Sequence, residues 1–185
     1  MGGSFNPAHA GHRHVAATAR KRLRLHQLWL LVSLGNPLKP ARGMAPFGDR
    51  LASARGIADG RRIVATGIEA ALGTRYTVDT LRLLRRRFPL VRFIWVMGAD
   101  ILAELPRWRR WKEIVGRIAF AVLPRPGYTY RALAGRAAHR LRGCRDRSRE
   151  APVLAGRAPA WVLLPVRENT ASSTAIRAAD KGSVP

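Results

Sequence analysis

The sequence predicts an α/β protein built on an open parallel sheet. Short apolar runs of strand length recur along 185 residues and alternate with segments of helical spacing. The residues of unusual chemistry fall just after those runs, where open parallel sheets bind ligands. A glycine-led loop also opens the chain and runs straight into a helical pattern.

The elements follow in order. Residues 1–12 (MGGSFNPAHAGH) hold two glycines that allow close backbone approach, a turn at Asn6-Pro7, and two histidines spaced H-x-G-H. From about Gly11 the pattern is helical, with Val15, Ala16, Ala19 and Leu23 on one face. The histidines therefore stand at a helix N-terminus, where free N–H groups and the dipole favour an anion such as a polyphosphate. Residues 27–33 (QLWLLVS) read as a buried strand, and 35–40 (GNPLKP) as a rigid loop after it. Residues 49–59 have helical spacing through Leu51, Ala54 and Ile57, and 62–66 (RIVAT) form the next strand. Residues 76–88 are amphipathic, with Val78, Leu81 and Leu84 opposed to Arg82 and the arginines 85–87. Residues 91–97 (VRFIWVM) are a strand ending in Gly98-Ala99-Asp100. Helical segments continue to about Val115 with a break at Pro106. Two more strands are expected at 118–123 and 161–166. The Arg-, Ala- and Gly-rich stretch 131–159 between them reads only as a helix and a loose loop.

Composition narrows the function classes. One domain spanning 1–185 is the expected organisation, large enough for a substantial core. No run of 18 apolar residues is present and no leader is recognised, so a cytoplasmic protein without membrane association is expected. The single cysteine, Cys144, excludes an intrachain disulfide and a cysteine-based zinc cluster. The net charge of +23 raises nucleic-acid binding as a rival reading. However, the arginines are spread along the whole chain, and the interleaved aromatics of a binding face are missing. Attraction for anionic substrates is the inference drawn.

Near the C-terminus, Ser172, Ser173 and Thr174 supply hydroxyls and N–H groups at a helix start, with Arg177 one turn on. This reads as a second phosphate-binding helix N-terminus. The stretch GGSFNPAHAGH resembles the signature of the nucleotidylyltransferase superfamily with the H-x-G-H motif. ASSTAIR is similar to that superfamily's I-S-S-T-x-I-R motif, with Ala171 in place of Ile. Within it, NPLKP (36–40), YTVDTL (76–81), GAD (98–100), PRWRRW (106–111) and RPGY (125–128) look like bacterial nicotinate mononucleotide adenylyltransferases.

The resemblance implies a Rossmann-like sheet and adenylyl transfer from ATP to nicotinate mononucleotide. It implies catalytic roles for His9 and His12, and ATP contacts from Gly2, Ser4, Phe5, His9, His12, Ser172, Ser173, Thr174 and Arg177. Lys39, Thr77, Asp100, Trp108 and Arg125 would contact the substrate, with Trp108 stacking on nicotinate and Trp111 left in the core. Mg²⁺ would arrive with ATP, without direct protein ligands. Phosphopantetheine adenylyltransferase shares the two phosphate motifs and is the rival within the superfamily. Oligomeric state, including a homo-oligomer, stays open. In that family a hydrophobic strand precedes the glycine loop, whereas here Met1 stands at its last position. The first central strand is therefore expected to be missing and the chain truncated at its N-terminus. Losing about five buried apolar residues would cost on the order of 10 kcal/mol.

Overall fold

The computed structural model describes residues 1–35, 43–166 and 173–182, of which 178–182 by backbone alone. The chain divides into two compact units, Met1–Ala17 with His26–Arg75 and Asn169–Pro185, and Thr18–Leu25 with Tyr76–Glu168.

The first unit carries a parallel sheet of order β1-β2-β3. β2 (Leu28–Val32) buries Leu28, Leu30 and Val32 on one face, the alternation that a strand imposes. β3 (Ile63–Thr66) pairs with it in register Leu28 to Ile63 through Leu31 to Thr66. Asp59 sets the entry to β3: its Oδ1 accepts the N–H groups of Arg61, Arg62 and Ile63 at 2.9, 2.7 and 2.8 Å. The glycines read as a loop carry a short strand of their own. Gly2–Gly3 form a two-residue strand, β1, parallel to β2 in register with Leu31 and Val32. The Leu31 N–H donates to Met1 O at 2.9 Å and the Ser33 N–H to Gly3 O at 3.0 Å. Two glycines carry no side-chain signal for a strand, but a ladder needs only their backbone.

α1 (Ala10–Arg22) follows the loop, with Arg20, Lys21 and Arg22 in its last turn, where cations complement the dipole. α2 (Phe47–Ile57) starts two residues before the expected helix, directly after Pro46, and α3 (Ile68–Ala71) is a single turn that the sequence reading missed. α9 (Ser173–Gly182) begins within the expected C-terminal motif.

The second unit carries a parallel sheet of order β4-β5-β6. β4 is Ile94–Gly98, β5 is Ala119–Leu123 and β6 is Trp161–Leu163. All five residues of β5 are buried, as in a strand covered on both faces. α4 (Thr77–Arg87) buries Val78, Leu81 and Leu84, the predicted stripe. β4 starts three residues later than expected, because the Val91 N–H instead closes a turn onto Phe88 O at 3.1 Å. α5 (Ala99–Glu104) passes into a 3₁₀ turn at Leu105–Arg107 around Pro106, and α6 (Trp111–Arg117) resumes the helix. The stretch read as a helix and a loose loop holds most of α7 (Thr129–Leu133), α8 (Arg136–Arg140) and two 3₁₀ turns. It packs into the core: Trp161 lies parallel to Phe120 at 5.7 Å, and its Nε1 donates to Leu141 O at 2.9 Å. Trp111, 8 % exposed, belongs to this core as expected.

Candidate active site

The loop between β1 and α1 is the centre of the first unit's site. Phe5, 1 % exposed, sits at φ +48° with its ring turned back on Gly3. A Cβ at Gly3 would lie 3.1 Å from that ring, so glycine there leaves room for the fold-back. The Asn6–Pro7 peptide is cis. Asn6 is buried and reaches across to the entry of α2. Its Nδ2 donates to Gly43 O at 3.0 Å and its Oδ1 accepts the Ala45 N–H at 3.1 Å. The Ala8 N–H donates to Ser53 Oγ of α2 at 2.9 Å. Polar side chains thus fix a loop that has no sheet partners of its own beyond Gly3.

His9 and His12 meet at the start of α1. Their ring centroids are 3.9 Å apart, and the His12 ring also lies 5.0 Å from that of Phe5. The His9 N–H donates to His12 Nδ1 at 3.3 Å, so a neutral His12 carries its proton on Nε2. The His12 N–H closes on His9 O at 2.9 Å. The helix has no acidic residue in its first turn, which leaves its positive end uncompensated there.

α9 brings the second motif to this loop. Ser173 Oγ donates to Pro7 O at 2.9 Å. Arg177 Nη1 donates to Asn6 O, and its Nη2 donates to Thr174 Oγ1 at 3.3 Å. Residues more than 160 positions apart in sequence therefore share one hydrogen-bonded cluster. Beside it lies a cavity of about 410 Å³ lined by Asn6, Pro7, Asp49, Arg50, Ser53 and Arg177, among others. Ser172 and Lys39, and with Lys39 the loop 36–40, lie outside the described residues.

Sequence reasoning missed Arg50. It is 2 % exposed and points into the base of the loop from α2. Its Nε donates to Ala45 O at 3.0 Å, its Nη1 to Ser4 O at 2.9 Å and Ser33 O at 2.7 Å, and its Nη2 to Leu34 O at 3.4 Å. The guanidinium also lies 5.6 Å over the Phe47 ring. Burial holds its pKa below the usual arginine range. One signal was available: Arg50 shares a helix face with buried Ala54, four residues on.

The second unit holds the other candidate residues. Thr77 opens α4, half-buried. Asp100 follows Gly98 and pairs through Oδ2 with the Arg125 guanidinium, while its buried Oδ1 has no hydrogen-bond partner among the described residues. A Cβ at residue 98 would come within 2.5 Å of that Oδ1, so glycine there gives the carboxylate its space. Arg125 also lies 5.8 Å over the Tyr128 ring. Trp108 packs 5.3 Å from Trp95, and its buried Nε1 likewise lacks a partner among the described residues. Tyr76 lies 4.7 Å beneath Arg109, a contact not anticipated from the sequence.

Among the described residues no group of three or more His, Cys, Asp or Glu side chains is arranged to hold a metal. No described helix is long and apolar enough to cross a membrane. The profile of the cytidylyltransferase-like family matches residues 1–179. A curated relative from Gluconobacter oxydans, named "probable nicotinate-nucleotide adenylyltransferase", is 59% identical over 96% of this chain and 91% of its own length. Relatives of the same name from Gluconacetobacter diazotrophicus and Methylorubrum extorquens are 57% and 51% identical, over 96% and 95% of this chain and 83% and 96% of theirs. Among solved structures, Plasmodium falciparum nicotinic acid mononucleotide adenylyltransferase complexed with NaAD aligns with TM-score 0.68 at 18% identity. That alignment covers 96% of this chain and 80% of the other, and it shows a shared fold. The chain belongs to the cytidylyltransferase-like family.

Proposed function

We propose that this chain transfers the adenylyl group of ATP to nicotinate mononucleotide, giving nicotinate adenine dinucleotide and pyrophosphate. The observation that carries the reading is the joining of the two phosphate motifs. Ser173 and Arg177 of α9 bond the carbonyls of Pro7 and Asn6, beside the paired rings of His9 and His12. The names of relatives up to 59% identical support the same substrates.

The chemistry suits such a site. The nucleophile is a phosphate monoester with a second pKa of about 6, already ionised at pH 7, so no protein base is required. Its oxygen forms a bond to the α-phosphorus of ATP, the bridging α–β bond breaks, and pyrophosphate leaves with the electron pair. Catalysis then reduces to holding two polyanions in line and stabilising charge at the α-phosphate. His12 Nε2–H is the donor assigned to that charge, with His9 beside it. Gly2, Ser4 and Phe5 are assigned backbone contacts to ATP, and Ser172, Ser173, Thr174 and Arg177 the β- and γ-phosphates. Lys39, Thr77, Asp100, Trp108 and Arg125 are assigned to the mononucleotide. Mg²⁺ would enter with the ATP substrate and would supply positive charge against its phosphates. The whole chain, 1–185, is read as one nucleotidylyltransferase domain.

The test is pyrophosphate release from ATP with nicotinate mononucleotide, nicotinamide mononucleotide or phosphopantetheine in parallel. Turnover with a pyridine mononucleotide and none with phosphopantetheine is expected. Release with phosphopantetheine alone would move the chain to the rival activity.

A further inference from the structure

Arg50 is a buried cation at a place where a carboxylate would be the ordinary partner. No ion pair to a carboxylate reaches it among the described residues. Among the described residues its guanidinium donates four hydrogen bonds, all to main-chain carbonyls. Those carbonyls come from separate segments: Ser4 from the glycine loop, Ser33 and Leu34 from just beyond β2, and Ala45 from the lead into α2. A guanidinium presents donors in a rigid planar fork, so one side chain can set the spacing of three segments at once. An ammonium, with its donors on a single nitrogen, cannot reach Ala45 O through one atom and Leu34 O through another.

The consequence falls on the loop backbone. A carbonyl and the following N–H belong to one planar peptide, so fixing Ser4 O also fixes the direction of the Phe5 N–H. Phe5 is held at positive φ, a conformation rarely adopted by a bulky side chain without outside support. Asn6 completes the frame through Gly43 and Ala45, next to the carbonyl that Arg50 Nε holds.

We propose that Arg50 is a positioning residue for the nucleotide loop: its fork on Ser4, Ser33 and Ala45 orients the Ser4–Asn6 backbone that receives the polyphosphate. The proposal rests on the adenylyl-transfer reading for its substrate, and on hydrogen-bond geometry alone for the loop. Arg50 does not touch the reacting atoms. It acts through the main chain of Ser4 and Phe5.

The experiment compares wild type with Arg50→Lys and Arg50→Gln, using Arg55→Lys on the exposed side of α2 as a control. Steady-state kinetics with ATP and nicotinate mononucleotide are combined with amide hydrogen exchange of the ligand-free protein. Arg50→Lys is expected to lower kcat/KM for ATP on the order of 10²-fold, the scale of a small misplacement at a reacting centre. KM for the mononucleotide should stay within about twofold, against ordinary substrate KM values that span orders of magnitude. Exchange should quicken at Phe5 and Asn6 while β3 keeps its protection, and Arg50→Gln should show the larger change. Wild-type kinetics in Arg50→Lys would overturn the proposal, as would exchange that quickens equally in β3 and the loop. Loss of cooperative melting in both variants would assign Arg50 to stability alone and overturn it too. A wild-type protein that releases no pyrophosphate would defeat the adenylyl-transfer reading, while the exchange comparison would still decide what Arg50 does to the loop.

Discussion

The nucleotide loop of the first unit and the aromatic layer of the second are held by different forces. Around the loop the ties are polar and directional. Arg50, Ser53, Ser173 and Arg177 bond main-chain groups of Ser4, Ala8, Pro7 and Asn6, the Asn6 side chain bonds Gly43 and Ala45, and Phe5 is the loop's deeply buried apolar anchor. In the second unit, Trp108 leans on Trp95, Trp161 stacks on Phe120, and Trp111 fills the core beside them. Its surface is laced by ion pairs, with Glu113 bonded by Arg82, Arg110 and Arg117. The Arg82 hydrogen bond is the main reason the Glu113 carboxyl titrates below its usual range. A directional tie governs geometry first, whereas a packed aromatic contributes mainly stability. Substitutions in the two regions should therefore separate into activity effects and melting effects.

The largest effect expected is on the packing side. Trp161→Ala removes the ring stacked on Phe120 and leaves a core cavity, a loss of about 3–5 kcal/mol. For a chain of this size that is a fall of roughly 10 °C in Tm by calorimetry. The activity remaining per folded molecule should change little. Unaltered melting would show that the 131–159 segment covers β6 without needing the indole.

Next in size is His12→Ala, which removes a donor assigned to transition-state charge. Its kcat should fall about 10²–10³-fold. Melting should stay close to wild type, because His12 is only partly buried at the start of α1. A variant keeping more than half its activity would end the catalytic assignment.

Trp108 tests the boundary of the comparison, since it is both a substrate candidate and a neighbour of the core. Trp108→Ala should weaken mononucleotide binding by about 1–3 kcal/mol, as for the loss of one base–aromatic stack, with ATP binding unchanged. Titrations with each substrate separate the outcomes. Equal weakening of both, or a melting loss like that of Trp161→Ala, would return Trp108 to the core.

The legible parts of the fold are those with a period. β2, β5 and α4 matched their patterns within about a residue, because alternation or a helical stripe marks a buried face. β1 was missed because Gly2 and Gly3 contribute only backbone to the ladder. The 131–159 stretch was read as one helix and a loose loop, and its division into α7, α8 and two 3₁₀ turns was not legible, because elements of three to six residues are too short to show a repeat. In the site, the histidines, hydroxyls and Arg177 were readable as residue types. Their meeting was not, since contacts such as Ser173 to Pro7 depend on the folded chain. Arg50 was hidden for another reason: thirty of the 34 basic residues are arginine, and one buried among them looks like any other.

The central claim is that the two sequence-distant motifs form one phosphate-binding site, and Arg177→Ala tests it most directly. Arg177 joins the motifs by donating to Asn6 O, and the same guanidinium is assigned to the phosphates of ATP. Losing a charged donor of this kind costs about 1.5–3 kcal/mol, so KM for ATP should rise by roughly 10- to 150-fold. KM for nicotinate mononucleotide should hold within about twofold, well inside the usual spread of such values. Equal increases for both substrates, or none for ATP, would contradict a single site built from both ends of the chain.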